Sequence, residues 1–255
     1  MLGLSQISLH YKKCFHLLSD EDISDYLYYL QKQKASYSKI KFIIYGFRFL
    51  FTIMKQPNRQ VVYRGKKQKV RLPIVLNQSE IKLVLHPSNC LNLKHRIILS
   101  VLYSAGLRIS ELLRLKISDV DFEANRIYIS KSKNGVTRYV VLSKLLAKGL
   151  KQYLIEFKPS VYLINSYKIG QPYSRRSVAK ILNKSLQRAG LSKHITVHSL
   201  RHSFAVHFLE QGGNILQLKD QLGHKRLQST LIYLRITQPQ FNKVQSPLDV
   251  LYAIN

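Results

Sequence analysis

Acidic residues are scarce in this chain of 255: thirteen Asp plus Glu stand against forty-one Lys plus Arg, a formal net charge of +28. So lopsided a balance attracts a polyanion and contributes nothing to a core, which makes nucleic acid the natural partner. Cysteine is nearly absent as well. Cys14 and Cys90 lie far apart with no histidine pattern beside them, which argues against a disulfide framework and a zinc site and points to a reducing, cytoplasmic setting. Long apolar runs are missing: the most apolar stretch, 42–54, holds Gly46 and Arg48 and is too short to span a bilayer, and the first residues carry no clear signal-peptide pattern. Internal repeats and low-complexity tracts are missing too. What is present is 45% apolar residues, ample for burial, over a length that fits one large domain or two modest ones.

Two helical patterns occupy residues 1–56. Ser19 stands ahead of Asp20, Glu21 and Asp22, an N-cap followed by charges that suit the positive end of a helix dipole, and predicts a helix to about Gln33. Ile40, Ile43, Ile44, Phe47, Leu50, Phe51 and Met54 recur at three and four residues and predict a second helix from about Tyr37 to Lys55. Seven basic residues and no acid then run from Lys55 to Arg71, interrupted by Pro57 and Gly65. Residues 57–75 thus read as a basic linker in which Arg64, Lys66, Lys67, Lys69 and Arg71 meet phosphates; a solvated connector is the plainer alternative.

The second domain, 76–255, opens at Asn77, whose pairing with Glu80 resembles a capping box. A helix from about Asn92 to Ala105 ends at Gly106, and another is expected from about Arg108 to Lys116. The period then changes to two. Segments 126–130 and 138–142 alternate and are β-branched, with Asn134 and Gly135 between them as a hairpin turn. Ser143 caps a helix to about Phe157, Ser174 caps one ending at Ala189 and Gly190, and helices continue through Tyr233. The fold class expected is mainly α with a small antiparallel β-sheet, preceded by a small helical N-terminal domain.

Two arginine boxes lie in this second domain. The first is Gly106-Leu107-Arg108-Ile109-Ser110-Glu111-Leu112. The second is His198-Ser199-Leu200-Arg201-His202, followed by Leu222-Gly223-His224 and Ile232-Tyr233. Metal-free attack on a phosphodiester requires a nucleophile, positive groups around the non-bridging oxygens and an acid for the leaving oxygen. Arginine suits the phosphate because its planar fork donates two parallel hydrogen bonds and stays charged, so Arg108 and Arg201 form a clamp, although either alone reads as an ordinary surface arginine. His198 and Arg201, three apart, present neighbouring side chains if both sit in a helical first turn. Gly223 ends a helix and turns His224 toward the site. Tyr233 is one of sixteen tyrosines and only its spacing from His224 singles it out. Ser229 or Thr230 caps a short helix that holds its phenol over the cations, which stabilise a phenolate against the usual pKa of ~10. His202 reads as a packing residue or one behind the phosphate contacts, and His207 as incidental.

These boxes resemble the signatures of the tyrosine recombinases, also called the phage integrase family, over about 76–255, and Ser246-Pro247-Leu248-Asp249 is typical of Xer-type members. The resemblance implies a site-specific recombinase that cleaves and rejoins DNA strands through a 3′-phosphotyrosyl intermediate, giving integration, excision, inversion or resolution. It implies Tyr233 as nucleophile, Arg108, His198, Arg201 and His224 around the phosphate, Glu111 orienting them, and a hairpin lysine as general acid. Lys131 and Lys133 both fit, and Ser132-Lys133-Asn134-Gly135 favours Lys133. The implied partners are double-stranded DNA and further copies of the chain, a dimer on each site and a tetramer when two sites are bridged; neither metal nor ATP is implied as a cofactor. Residues 1–56 correspond to a shortened core-binding domain that clamps DNA. The tail from about Ile236 packs on a neighbouring protomer, or alternatively on its own domain. Type IB topoisomerases share the residue set, but the Leu-Gly-His and Ser-Pro-Leu-Asp segments argue against that reading; a DNA-binding protein that has lost activity is disfavoured because every expected catalytic position is filled.

Overall fold

A computed structural model describes residues 2–56, 58–63, 72–130, 137–166, 171–237 and 251. The chain divides into two compact units, Met1–Arg71 and Leu72–Asn255. Among the described residues no helix is long and apolar enough to cross a membrane.

The first unit holds three helices, α1 (Leu2–Tyr11), α2 (Asp20–Lys32) and α3 (Tyr37–Ile53). The start of α2 is fixed locally: Ser19 Oγ accepts from the Asp22 amide at 3.0 Å while Asp22 accepts from the Ser19 amide at 3.0 Å, so two orphan donors of the first turn are satisfied at once. Ser36 caps α3 in the same way through the Lys39 amide. Ile7 of α1, Leu27 of α2 and Ile43 and Phe47 of α3 share one core. The helix α1 was not expected from sequence. Its apolar residues at 2, 4, 7 and 9 keep neither a helical nor a strand period, and Leu9 stays largely exposed. The stretch expected to begin the linker differs as well: Val61 is buried in the first core and Arg59 Nε donates to Asp20 Oδ1 at 2.7 Å, so residues 58–63 belong to this unit. Residues 64–71 lie outside the described residues.

The second unit is built around α5 (Leu93–Ser104), in which Ile97, Ile98, Leu99, Val101 and Leu102 are all buried because α7 and α9 pack on it. In chain order the elements are α4 (Gln78–Leu85), α5, α6 (Ile109–Leu112), β1 (Val120–Asp121), β2 (Arg126–Ile129), β3 (Arg138–Val141), α7 (Lys144–Phe157), α8 (Arg175–Arg188), α9 (Val197–Glu210), α10 (Ile215–Leu222) and α11 (Gln228–Leu234). The sheet is antiparallel in the order β1-β2-β3, with Ile127 opposite Val140 and Ile129 opposite Arg138. The helix expected over 108–116 is a single turn, α6, after which Lys116 bridges to Tyr162. The turn at Asn134 and Gly135, and residues 238–250 of the tail, which include 246–249, lie outside the described residues. A smaller core of Ala205, Val206, Leu218, Leu222 and Tyr233 joins α9, α10 and α11. The chain enters this unit strapped to α9, since the Leu76 amide donates to Ser203 Oγ at 2.8 Å in a buried position.

Candidate active site

Glu111 is the node from which the site is built. It is 6% exposed, and its two carboxylate oxygens take a parallel fork from Arg138, Nη1 to Oε1 and Nη2 to Oε2, both at 3.0 Å. Arg108 adds its Nη1 at 2.9 Å and its backbone amide at 2.8 Å, and Arg201 Nη1 stands 3.9 Å away. A carboxylate taken out of water is costly unless paired and hydrogen-bonded. Burial therefore pushes the Glu111 pKa up, but the bonds and charge of Arg138 and Arg108 outweigh it and hold the group down to about 2. Three arginines around one acid leave the cluster with an excess of positive charge.

That excess is directed by the end of α10. Gly223 follows the helix in the left-handed conformation, φ 63°. A Cβ there would lie 2.8 Å from Arg138 Nη1, so the position demands glycine twice over. The last carbonyls of α10, at the negative end of its dipole, each meet a guanidinium. Gln221 O accepts from Arg138 Nε at 2.8 Å, Leu222 O from Arg201 Nη2 at 2.7 Å, and Gly223 O from Arg108 Nη2 at 3.3 Å. Arg201, 1% exposed, also donates to Gly106 O at 2.7 Å. Gly106 has φ 60°, and a Cβ on it would stand 2.5 Å from the Phe204 ring. The two glycines of the sequence boxes thus let the backbone approach the arginines closely.

The histidines and the tyrosine complete the arrangement. Arg201 Nη2 donates to His224 Nε2 at 3.1 Å; a guanidinium has no acceptor, so that nitrogen is unprotonated and Nδ1 carries the proton toward Thr230 Oγ1 at 2.9 Å. Burial, with Arg201 and Arg108 beside it, lowers the His224 pKa to about 4. His202 is likewise lowered to about 4 by burial and by His198 and Arg201, and its Nδ1 lies 2.9 Å from the Tyr233 hydroxyl. His198, exposed in the first turn of α9, packs its ring edge-on against His202 with centroids 4.4 Å apart. At neutral pH the imidazoles of His202 and His224 are uncharged hydrogen-bonding groups, and among the described residues the arginines supply the site's fixed positive charge.

Tyr233 corrects one expectation. The phenol is 2% exposed, and its pKa is raised because burial outweighs the lowering effect of Arg201 and Arg108. The cations do favour the phenolate, as expected, but burial opposes them more strongly and the balance favours the protonated phenol. Thr230 is not the cap of α11, which starts after Leu227; it is buried and binds His224 instead. His207 is not incidental either: it is buried, with Nδ1 2.9 Å from the Tyr103 hydroxyl.

The structure therefore brings together Arg108, Glu111, His198, Arg201, His202, His224 and Tyr233 from the two boxes. Lys131 and Lys133, and the linker residues Arg64, Lys66, Lys67, Lys69 and Arg71, lie outside the described residues. Sequence reasoning missed Arg138 and Thr230. Arg138 was detectable, because it shares the inward parity of β3 with Val140, and an arginine on a buried strand face requires an acid. Also missed was a basic stripe on α8. Arg176, Lys180, Lys184 and Arg188, at four-residue steps, are exposed on the side opposite buried Val178, Ile181, Leu182 and Leu186.

Comparison with known proteins places this geometry. The profile of the phage integrase family matches residues 75–239. The chain is 36% identical to y4qK of Sinorhizobium fredii, named a putative integrase/recombinase, over 97% of this chain and 82% of that protein. It is 33% identical to the tyrosine recombinase XerA of Thermococcus onnurineus over 88% of this chain and 80% of that one. Among solved structures, a Tn1549 transposon integrase in complex with a circular intermediate DNA superposes with a TM-score of 0.75 at 17% identity, covering 99% of this chain and 91% of that one. The XerH recombinase bound to its difH substrate before cleavage gives 0.71 at 22% identity, over 98% and 74%. The chain belongs to the phage integrase family and is a tyrosine recombinase.

Proposed function

We propose that the cluster around Glu111 receives one scissile phosphodiester of duplex DNA and that Tyr233 attacks it. Arg108 and Arg201 clamp the non-bridging oxygens, the planar fork being the geometry that phosphate accepts. His198, whose ring has no hydrogen bond among the described residues, donates to the same oxygens as charge builds in the transition state, while His224 accepts from Arg201 and holds that guanidinium toward the phosphate. Attack gives a 3′-phosphotyrosyl link and a free 5′ hydroxyl, and the exchanged strand reverses the step. The leaving 5′ oxygen takes its proton from Lys133, with Lys131 the alternative in the same hairpin. Arg138 and Glu111 hold the clamp in register without touching DNA.

The observation that carries this reading is the double pinning of α11: Thr230 bonds His224 and Tyr233 bonds His202, so one turn of helix delivers the phenol into the arginine-histidine cluster. A bound phosphate does not need a metal here, since the arginine excess supplies the neutralising charge. The +28 chain neutralises the flanking backbone, through the α8 stripe and the basic residues 64–71, and the helical first unit also binds the DNA. A dimer forms on each site and two dimers bridge two sites. The enzyme acts at specific DNA sites as its family does.

A nicked suicide substrate tests the assignment. Wild-type protein should leave a covalent adduct on a denaturing gel, and Tyr233→Phe should bind DNA equally well and leave none. An adduct that survives in the variant would remove Tyr233 from the role.

A further inference from the structure

We infer that His202 is the proton acceptor for Tyr233, a catalytic base distinct from the histidines that face the phosphate; the inference rests on Tyr233 being the nucleophile. His198 and His202 lie one turn apart on α9 and their rings touch, yet they face different partners. His202 Nδ1 lies 2.9 Å from the Tyr233 oxygen, whereas the His198 ring is exposed and bonds no described protein group. The tyrosine is 2% exposed, so its hydroxyl proton requires an acceptor inside the protein. Among the described residues His202 Nδ1 is the polar atom within hydrogen-bonding distance of that oxygen. Nδ1 must therefore carry the lone pair, and the imidazole is neutral because burial and the neighbouring His198 and Arg201 oppose its protonation. A neutral imidazole whose lone pair already receives the nucleophile's proton meets the geometric requirement of a general base.

The step balances. As the Tyr233 oxygen forms its bond to phosphorus, its proton passes to His202 Nδ1, and the electron pair of the O–H bond becomes the new O–P bond. The P–O5′ bond breaks, its pair stays on the 5′ oxygen, and that oxygen takes the proton of the hairpin lysine. His202 leaves the step as an imidazolium and the lysine as a neutral amine. In rejoining, the 5′ hydroxyl attacks, the lysine recovers its proton, and His202 returns its own to the departing phenolate. One histidine is thus base in cleavage and acid in ligation. The same arrangement keeps the enzyme inert without DNA. With burial pushing the phenol up and the imidazole held down near 4, the proton stays on Tyr233 until bonding to phosphorus acidifies it.

Two variants separate this role from mere positioning. His202→Asn can place an amide oxygen near the position of Nδ1 and accept the same hydrogen bond, but it cannot take the proton. Its DNA affinity should match the wild type, while cleavage of a suicide substrate should fall by about 100-fold or more. His202→Ala leaves a space of imidazole size, and added imidazole should restore cleavage by roughly tenfold or more. His202→Asn cleaving within about threefold of wild type would overturn the inference, because the hydrogen bond alone would then suffice. An alanine variant that imidazole leaves unchanged would also overturn it. A wild-type protein that forms no adduct, or an adduct that persists in Tyr233→Phe, would instead count against the nucleophile assignment.

Discussion

In the first unit the ion pairs lie near the surface: Lys13 Nζ stands 3.6 Å from Asp22, and Arg59 Nε 2.7 Å from Asp20, whose side chain is 42% exposed. In the second unit exposed pairs such as Arg126 with Asp121 also occur, but the pairing at the site is interior, with Glu111 held by Arg138 and Arg108 under side-chain exposures of 2% for the acid and 7% for Arg138. The chemistry is the same and the consequence differs. Exposed pairs gain little because water screens them, and the acids of α2 serve mainly to cap it and complement its dipole. A buried pair adds little against an apolar substitute, but once present it fixes geometry, since moving any member strands a charge away from water. The first unit is held by apolar packing. The site in the second unit is held by one acid shared among arginines that come from the start of α6, from β3 and from α9.

The contrast is broken most sharply at Glu111. Glu111→Ala should cost about 3–5 kcal/mol of stability, the usual loss when one partner of a buried pair is removed, and cleavage should be lost with it. Urea denaturation followed by circular dichroism reads the loss; a midpoint close to wild type would mean that the arginines find water or other partners. The acid limb sharpens the same point. Because the folded Glu111 pKa is about 2 against an ordinary 4.5, its contribution of about 3 kcal/mol is present above pH 4.5 and disappears as pH falls toward 2. Glu111→Gln should flatten that part of the stability profile, and an unchanged acid limb would assign it to other carboxylates.

Smaller effects belong to the first unit and to the basic segment. Ser19→Ala removes the cap of α2 and should cost about 1 kcal/mol, measured by thermal unfolding, with the rate of adduct formation on bound DNA unaffected. Neutralising Lys66, Lys67 and Lys69 together should leave stability alone and flatten the slope of log K against log salt by roughly 0.9 for each phosphate that is no longer neutralised. An unchanged slope would return residues 64–71 to the role of a solvated connector.

Local rules in the sequence predicted most of the helices because local physics makes them. The caps at Ser19, Asn77, Ser143 and Ser174 depend on residues three apart, and all four are present in the fold. The Arg108, Arg201, His224 and Tyr233 positions were legible because the boxes pair each with a glycine or a fixed step along a helix. The remainder depends on distance in the chain. Nothing near Glu111 in sequence says that Arg138, twenty-seven residues on, would claim its fork instead of Arg114 or Lys116. Likewise His202 looks like a packing residue until α11 is seen to bring Tyr233 against it across 31 residues. The protonation states were hidden for the same reason. Burial decides them, and burial of Tyr233 follows from the small core shared by α9, α10 and α11.

The proposed chemistry stands or falls on one phenol among sixteen tyrosines, Tyr233, making the covalent bond to DNA. Trapping the wild-type adduct on a suicide substrate, digesting both DNA and protein, and sequencing the nucleotide-linked peptide by mass spectrometry measures this directly. The expected result is a nucleotide on the peptide spanning α11, carried by Tyr233. A nucleotide on any other tyrosine, or on the neighbouring Ser229 or Thr230, would contradict it.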